Sequence, residues 1–136
     1  QMFGYVESPL YTANIDFSDT LEIFFEPSVA PIGMQWSPDG EWIAFTAVSF
    51  ADDAFTEIDK RVIIIKSDGS QQTVVEYGFA EFVDWSPDGS QLIYSQEISE
   101  DMKQLYIYDL TSADKTMLPF TFDRYSDFVT DWGTLQ

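Results

Sequence analysis

One pentapeptide occurs twice in the chain and limits what it can fold into: Trp36-Ser37-Pro38-Asp39-Gly40 and Trp85-Ser86-Pro87-Asp88-Gly89. Each copy follows a short apolar run and leads into an alternating one, Trp42-Ile43-Ala44-Phe45-Thr46 in the first and Leu92-Ile93-Tyr94-Ser95 in the second. Proline presets φ at the second position of a turn, aspartate hydrogen-bonds nearby backbone, and glycine accepts the positive φ that closes a hairpin. The pattern reads as strand, tight turn, strand, written twice. The two tryptophans stand 49 residues apart, and Trp132, ending Phe128-Val129-Thr130-Asp131-Trp132, follows 47 residues later as an echo of Phe82-Val83-Asp84-Trp85. A repeat of that length is the period of small sheets stacked side by side.

The spacing of apolar runs and turn residues predicts an all-β chain of twelve strands. Residues 1–26 read as a partial unit, with strands at 3–7, 10–16 and 21–26, followed by a connector over 27–31. Residues 32–76 read as a complete unit with strands at 32–36, 41–48, 61–66 and 72–76, and 81–118 as a second with strands at 81–85, 91–96, 104–109 and 115–118. A linker over 119–126 then leads to a lone strand at 127–132, the first of a further unit. Val62-Ile63-Ile64-Ile65 is apolar on both faces, which predicts a strand sandwiched between neighbouring sheets.

Composition bounds the function. Apolar residues make up 45% and aromatics 17%, enough for a core, so a formal charge of −18 must sit on the surface of something folded. The first 59 residues hold eleven acids and no Lys or Arg; the six bases all come later. That balance argues against nucleic acid, which is held by clustered Lys and Arg, and against an anionic membrane surface. No apolar run is long enough to span a bilayer. With no histidine and no cysteine, neither a Ser/His/Asp nor a Cys/His nucleophile system can be assembled here, and zinc loses its usual ligands. The start at Gln1 rather than methionine predicts a processed, trimmed or partial polypeptide.

Strand, Trp-Ser-Pro-Asp-Gly, then Ile-Ala-Phe-Thr or Leu-Ile-Tyr-Ser, and later an apolar strand such as Leu105-Tyr106-Ile107-Tyr108 before a turn, resembles the TolB-like, WD-like β-propeller repeat, and the resemblance covers nearly the whole chain. Trp132 departs from it, since Gly133-Thr134 follows instead of Ser-Pro-Asp-Gly. The resemblance implies four-stranded antiparallel blades, about three of them here, and a periplasmic or extracellular binding module; the same repeat also forms the non-catalytic propeller of prolyl oligopeptidase-like enzymes. Since propellers typically carry roughly four to eight blades, the expectation is either a longer chain or a homodimer in which two copies complete a six-blade ring.

Acids supply the remaining candidates. Asp52, Asp53, Glu57 and Asp59 fall between the second and third strands of the first complete unit, and Glu97, Glu100 and Asp101 fall in the equivalent loop of the second. Equivalent loops share a rim, so these residues are expected on one face, as a docking surface for a basic protein partner or as oxygen ligands for Ca²⁺. Solvated loops of an acidic chain explain the same residues without a ligand. Gln35, Asp84 and Asp131 each precede a tryptophan on an inner strand; the two acids are candidates for channel carboxylates of a glycosidase, and all three for structural hydrogen bonds. Asp39 and Asp88 read as turn formers, and Phe50, Phe55 and Tyr125 as aromatics available to stack on a sugar or anchor a partner. A non-enzymatic protein-binding or scaffolding module is the expected function, with the propeller portion of an exported peptidase or carboxylate-based glycosidase as the alternative.

Overall fold

The computed structural model describes residues 8–52 and 55–123. Ten strands in three antiparallel sheets account for the regular structure of these residues. A hairpin pairs β1 (Leu10–Thr12) with β2 (Leu21–Phe24). A four-stranded sheet follows in simple order, β3 (Val29–Trp36), β4 (Trp42–Phe50), β5 (Glu57–Lys66) and β6 (Thr73–Glu76). Its successor repeats the order with β7 (Ala80–Trp85), β8 (Gln91–Glu97), β9 (Met102–Asp109) and β10 (Lys115–Asp123). Among the described residues no helix is long and apolar enough to cross a membrane.

The repeated pentapeptide forms the first turn of each four-stranded sheet. Gly40 and Gly89 both have φ of 75°, and each donates its N–H to the carbonyl of the motif serine, at 2.9 and 3.0 Å. Asp39 accepts from the Ser37 hydroxyl and the Glu41 N–H, and Asp88 from the Ser90 N–H, the Ser90 hydroxyl and the Ser86 hydroxyl. These bonds hold both carboxyls below the usual aspartate range. The buried serines close the hairpin by accepting from the Trp42 and Gln91 N–H groups, each at 3.0 Å.

Stacking explains the unbroken apolar run in β5. Ile63 and Ile65 pack with Leu10, Ile23, Phe24 and Phe45 on one side, while Val62 and Ile64 pack with Trp85, Leu92 and Tyr94 on the other. Successive strand residues face opposite ways, so four consecutive apolar residues serve two cores. The Trp85 indole N–H crosses between sheets to the Gln35 carbonyl at 3.0 Å. Ion pairs cross as well: Arg61 to Glu26 at 2.9 Å, Lys60 to Glu81 at 3.3 Å and Lys115 to Glu76 at 3.1 Å. Glu76 also accepts from the buried Tyr94 hydroxyl at 2.9 Å, and burial together with that bond pushes the Tyr94 phenol far above its ordinary range.

Several predicted boundaries move. Val29 to Pro31 belong to β3 rather than to a connector, because they pair with Ser49, Val48 and Ala47. The third strand of the first complete sheet begins at Glu57, since Glu57, Asp59 and Lys60 continue the ladder against Phe50, Ser49 and Val48 of β4. The predicted linker at 119–126 is strand as far as Asp123, reached through an irregularity between Met117 and Thr121 that accommodates Pro119. The hairpin strands end early, at Thr12 and Phe24. Predicted strands at 3–7 and 127–132 lie outside the described residues, as does Trp132.

Candidate functional site

Antiparallel connectivity puts the loops between second and third strands, at 51–56 and 98–101, on the same rim as the junctions leading into β3 and β7. The backbone there repeats. Phe50 N–H bonds the Ser28 carbonyl as Glu97 N–H bonds that of Phe79, and Ala51 N–H bonds the Thr56 carbonyl as Ile98 N–H bonds that of Met102. The opposite rim carries the Trp-Ser-Pro-Asp-Gly turns.

The seven predicted acids divide. Asp52 is exposed in the first loop; Asp53 lies outside the described residues. Glu100 and Asp101 are exposed in the second loop. The other three are strand residues, correcting the loop assignment. Glu57 opens β5 and pairs with Lys60 at 3.6 Å, and Glu97 ends β8 opposite Lys103. Asp59 is structural: one carboxylate oxygen accepts from the N–H groups of Gly78 and Phe79, at 3.2 and 3.1 Å. Those two residues have φ of 80° and 55°, which turns their N–H groups toward one acceptor. Among the described residues no three acids converge as metal ligands would. Asp84 bonds its neighbour's N–H, that of Trp85, at 2.9 Å, and Asp131 and Tyr125 lie outside the described residues.

Sequence reasoning missed the apolar half of this rim. Phe55 is 87% exposed, Ile58 56%, Tyr77 57% and Ile98 51%. Only Phe55 stood out beforehand: Tyr77 and Ile98 sit in short, non-periodic junctions, and Ile58 in the mostly polar opening of β5. A pocket of about 340 Å³ opens beside Ile98, lined by Gly78, Phe79, Glu97, Ile98, Ser99 and Glu100. Its floor is pinned by the Asp59 bonds, by Glu97 N–H to the Phe79 carbonyl, and by the Gln96 amide on the Tyr77 carbonyl at 2.8 Å.

The described bases leave the rim electronegative. Lys60, Arg61, Lys103 and Lys115 are all in ion pairs with acids of this chain, and Lys66 lies over the Trp42 ring at 5.0 Å. With five bases engaged internally, the excess negative charge is left at the surface.

No protein-family model matches the chain. An uncharacterized WD repeat-containing protein of Schizosaccharomyces pombe is 33% identical over 66 residues, which are 48% of this chain and 13% of that protein. Among solved structures, TolB from Acinetobacter baumannii aligns with a TM-score of 0.59 at 17% identity, covering 86% of this chain and 30% of that one. An oligogalacturonate lyase in complex with manganese aligns at 0.55 and 20% identity, covering 81% and 30%. The β-propeller domain of the Trilobed protease from Pyrococcus furiosus, described as having an open velcro topology, aligns at 0.52 and 14%, covering 92% and 42%. The chain thus spans less than half the length of each. Together with the twice-used Trp-Ser-Pro-Asp-Gly turn and the four-stranded sheets stacked face to face, these likenesses give the chain the fold of the TolB-like, WD-like β-propellers.

Proposed function

We propose that the chain is a non-enzymatic protein-binding module of an exported or multi-subunit assembly, and that it engages its partner through the rim carrying loops 51–56 and 98–101. The observation that carries this reading is the grouping of exposed Phe55, Ile58, Tyr77 and Ile98 among acids on one rim. Apolar anchors set in a polar surround are the usual composition of a protein interface. Its test is affinity isolation of the assembly from its native source with three forms of the protein: native, a rim variant (Phe55→Ser, Tyr77→Ser, Asp101→Asn) and an opposite-rim control (Glu41→Gln). One stoichiometric partner held by the native and control forms and released by the rim variant supports the reading. Equal retention by all three contradicts it.

Ring completion belongs to the same proposal. Trp36 occupies the motif position of Trp85, yet is 49% exposed against 4%. A further blade, from a longer chain or from a second copy in a homodimeric six-blade ring, accounts for that open face. Mass in solution together with intact polypeptide mass separates the two.

A second reading, the propeller portion of an exported enzyme, draws support from the lyase and the protease propeller domain among the structural neighbours. Loss of glycan cleavage on Asp84→Asn, or a hydrolase domain in the same polypeptide, is the result it requires.

A further inference from the structure

The turn joining β1 and β2 is another copy of one that the complete sheets use between their third and fourth strands. Between β5 and β6 the Lys66 N–H bonds the Ser70 carbonyl at 2.9 Å, the Gly69 N–H bonds the Lys66 carbonyl at 2.8 Å, and Asp68 accepts from the Ser70 N–H and hydroxyl at 2.9 and 2.6 Å. Between β1 and β2 the same bonds run from Asn14 to Ser18, from Phe17 to Asn14 and from Ser18 twice to Asp16, at 3.0, 2.8, 3.0 and 2.6 Å. Position by position, Ile15 stands for Ser67 and Phe17 for Gly69. Phe17 has φ of 64° where Gly69 has 88°, a left-handed backbone that costs a residue with a Cβ. Both side chains face water, Ile15 100% and Phe17 84% exposed. Single apolar residues scattered on a surface are ordinary. Two in one turn, at places that accept serine and glycine, serve neither the turn nor the core. The 66–70 turn abuts a Trp-Ser-Pro-Asp-Gly turn through Ser67 N–H on the Glu41 carbonyl at 3.0 Å, so its equivalent at 14–18 belongs to that rim, away from loops 51–56 and 98–101.

We infer that Ile15 and Phe17 form a knob that enters an apolar, base-rimmed pocket of a partner protein, a contact separate from the one proposed for the opposite rim. The convex tip selects a concave partner, and charge selects the border of its pocket. Asp16, Asp19 and Glu22 are exposed around the knob, and residues 8–24 hold no Lys or Arg. Among the described residues none of these three carboxylates is in an ion pair. The bonds that Asp16 and Asp19 accept come from the neutral Ser18 and Asn14, which leave the charge in place. Lipid surfaces are approached with basic residues, and a second copy presents the same three carboxylates, so neither fits as the occupant. The turn is already fixed by its own hydrogen bonds and loses little freedom on docking.

The probe is amino-β-cyclodextrin, an apolar cavity rimmed by ammonium groups, set against neutral β-cyclodextrin and phosphatidylcholine vesicles. Titrations of the intact, isotopically labelled protein are followed at the Asp16 and Ser18 amides. In low salt the cationic host is expected to bind about fivefold more tightly than the neutral one, the two to converge in molar salt, and the vesicles to shift neither amide. The double variant Ile15→Ser/Phe17→Gly, which copies Ser67-Asp68-Gly69-Ser70 into the hairpin, is expected to lose the host-induced shifts while keeping or raising the urea midpoint. In the native assembly the Ile15 δ-methyl is expected to escape the broadening that a neutral gadolinium chelate gives it in the free protein. Equal binding of the two hosts in low salt, vesicle binding at the tip, host shifts that persist in the variant, a lowered urea midpoint, or undiminished broadening in the assembly overturns the inference. Each of these results leaves the reading of the opposite rim as it stands.

Discussion

Asp59 and Asp52 look alike in the sequence, two acids seven residues apart in one variable stretch, yet their surroundings give them opposite roles. Asp59 receives two N–H groups from residues about twenty positions downstream, so its removal leaves a junction with unsatisfied donors. Asp59→Ala is expected to lower unfolding stability by about 1–3 kcal/mol, and Asp59→Asn, which keeps an acceptor, by less. Asp52→Ala, on an exposed loop, should stay within about 0.5 kcal/mol. Chemical denaturation of the three variants checks this; an equal cost at both positions would contradict the structural assignment of Asp59. The pairing could not be read beforehand, because an acceptor bonded to distant backbone leaves no local pattern. The Trp-Ser-Pro-Asp-Gly turns could be, because every bond that closes them lies within six residues.

Strands were legible where their residues are apolar and indistinct where they are not. The apolar run of β5 announced itself at Val62 to Ile65, and both faces are buried as the run implied. Its first residues, Glu57 to Lys60, gave no such signal, since a ladder continues through mostly polar residues as long as a neighbour supplies backbone partners. Val29 to Pro31 were hidden for a similar reason: two prolines and a serine nearby suggest a connector, while pairing to β4 makes a strand. On the rim, Tyr77 and Ile98 escaped notice because they lie at ends of elements, where periodicity stops. Since Ile64 packs toward β7 and β8, Ile64→Ala is expected to cost about 2–5 kcal/mol. Thermal unfolding should register it, and a loss under 1 kcal/mol would argue that the two sheets are not packed through this residue.

At the scale of the molecule, charge sets the response to pH. Hydrogen bonds hold Asp39, Asp68, Asp88 and Asp109 below the ordinary aspartate range. Burial raises the Glu76 carboxyl, but bonds from Tyr94 and Lys115 outweigh it and bring the group below its usual value. A carboxyl depressed in the folded state adds stability above its unfolded pKa, about 4, and that stability is lost as pH falls through the folded value. Against this, a charge of −18 at pH 7 repels itself, and acidification relieves the repulsion. Stability in low salt is therefore expected to rise slightly from pH 7 to about 5 and to fall below about 4, with the early rise removed by molar salt. Urea midpoints across that range check it, and a midpoint that climbs steadily to pH 3 would contradict the role given to these carboxyls.

The claim that a partner is held on one rim is tested most directly by hydrogen–deuterium exchange of the native assembly against the free protein. The account predicts new protection at 51–56, 77–79 and 97–101, with the turns at 37–41 and 86–90 unchanged. Protection confined to those turns, or none on either rim, would contradict it.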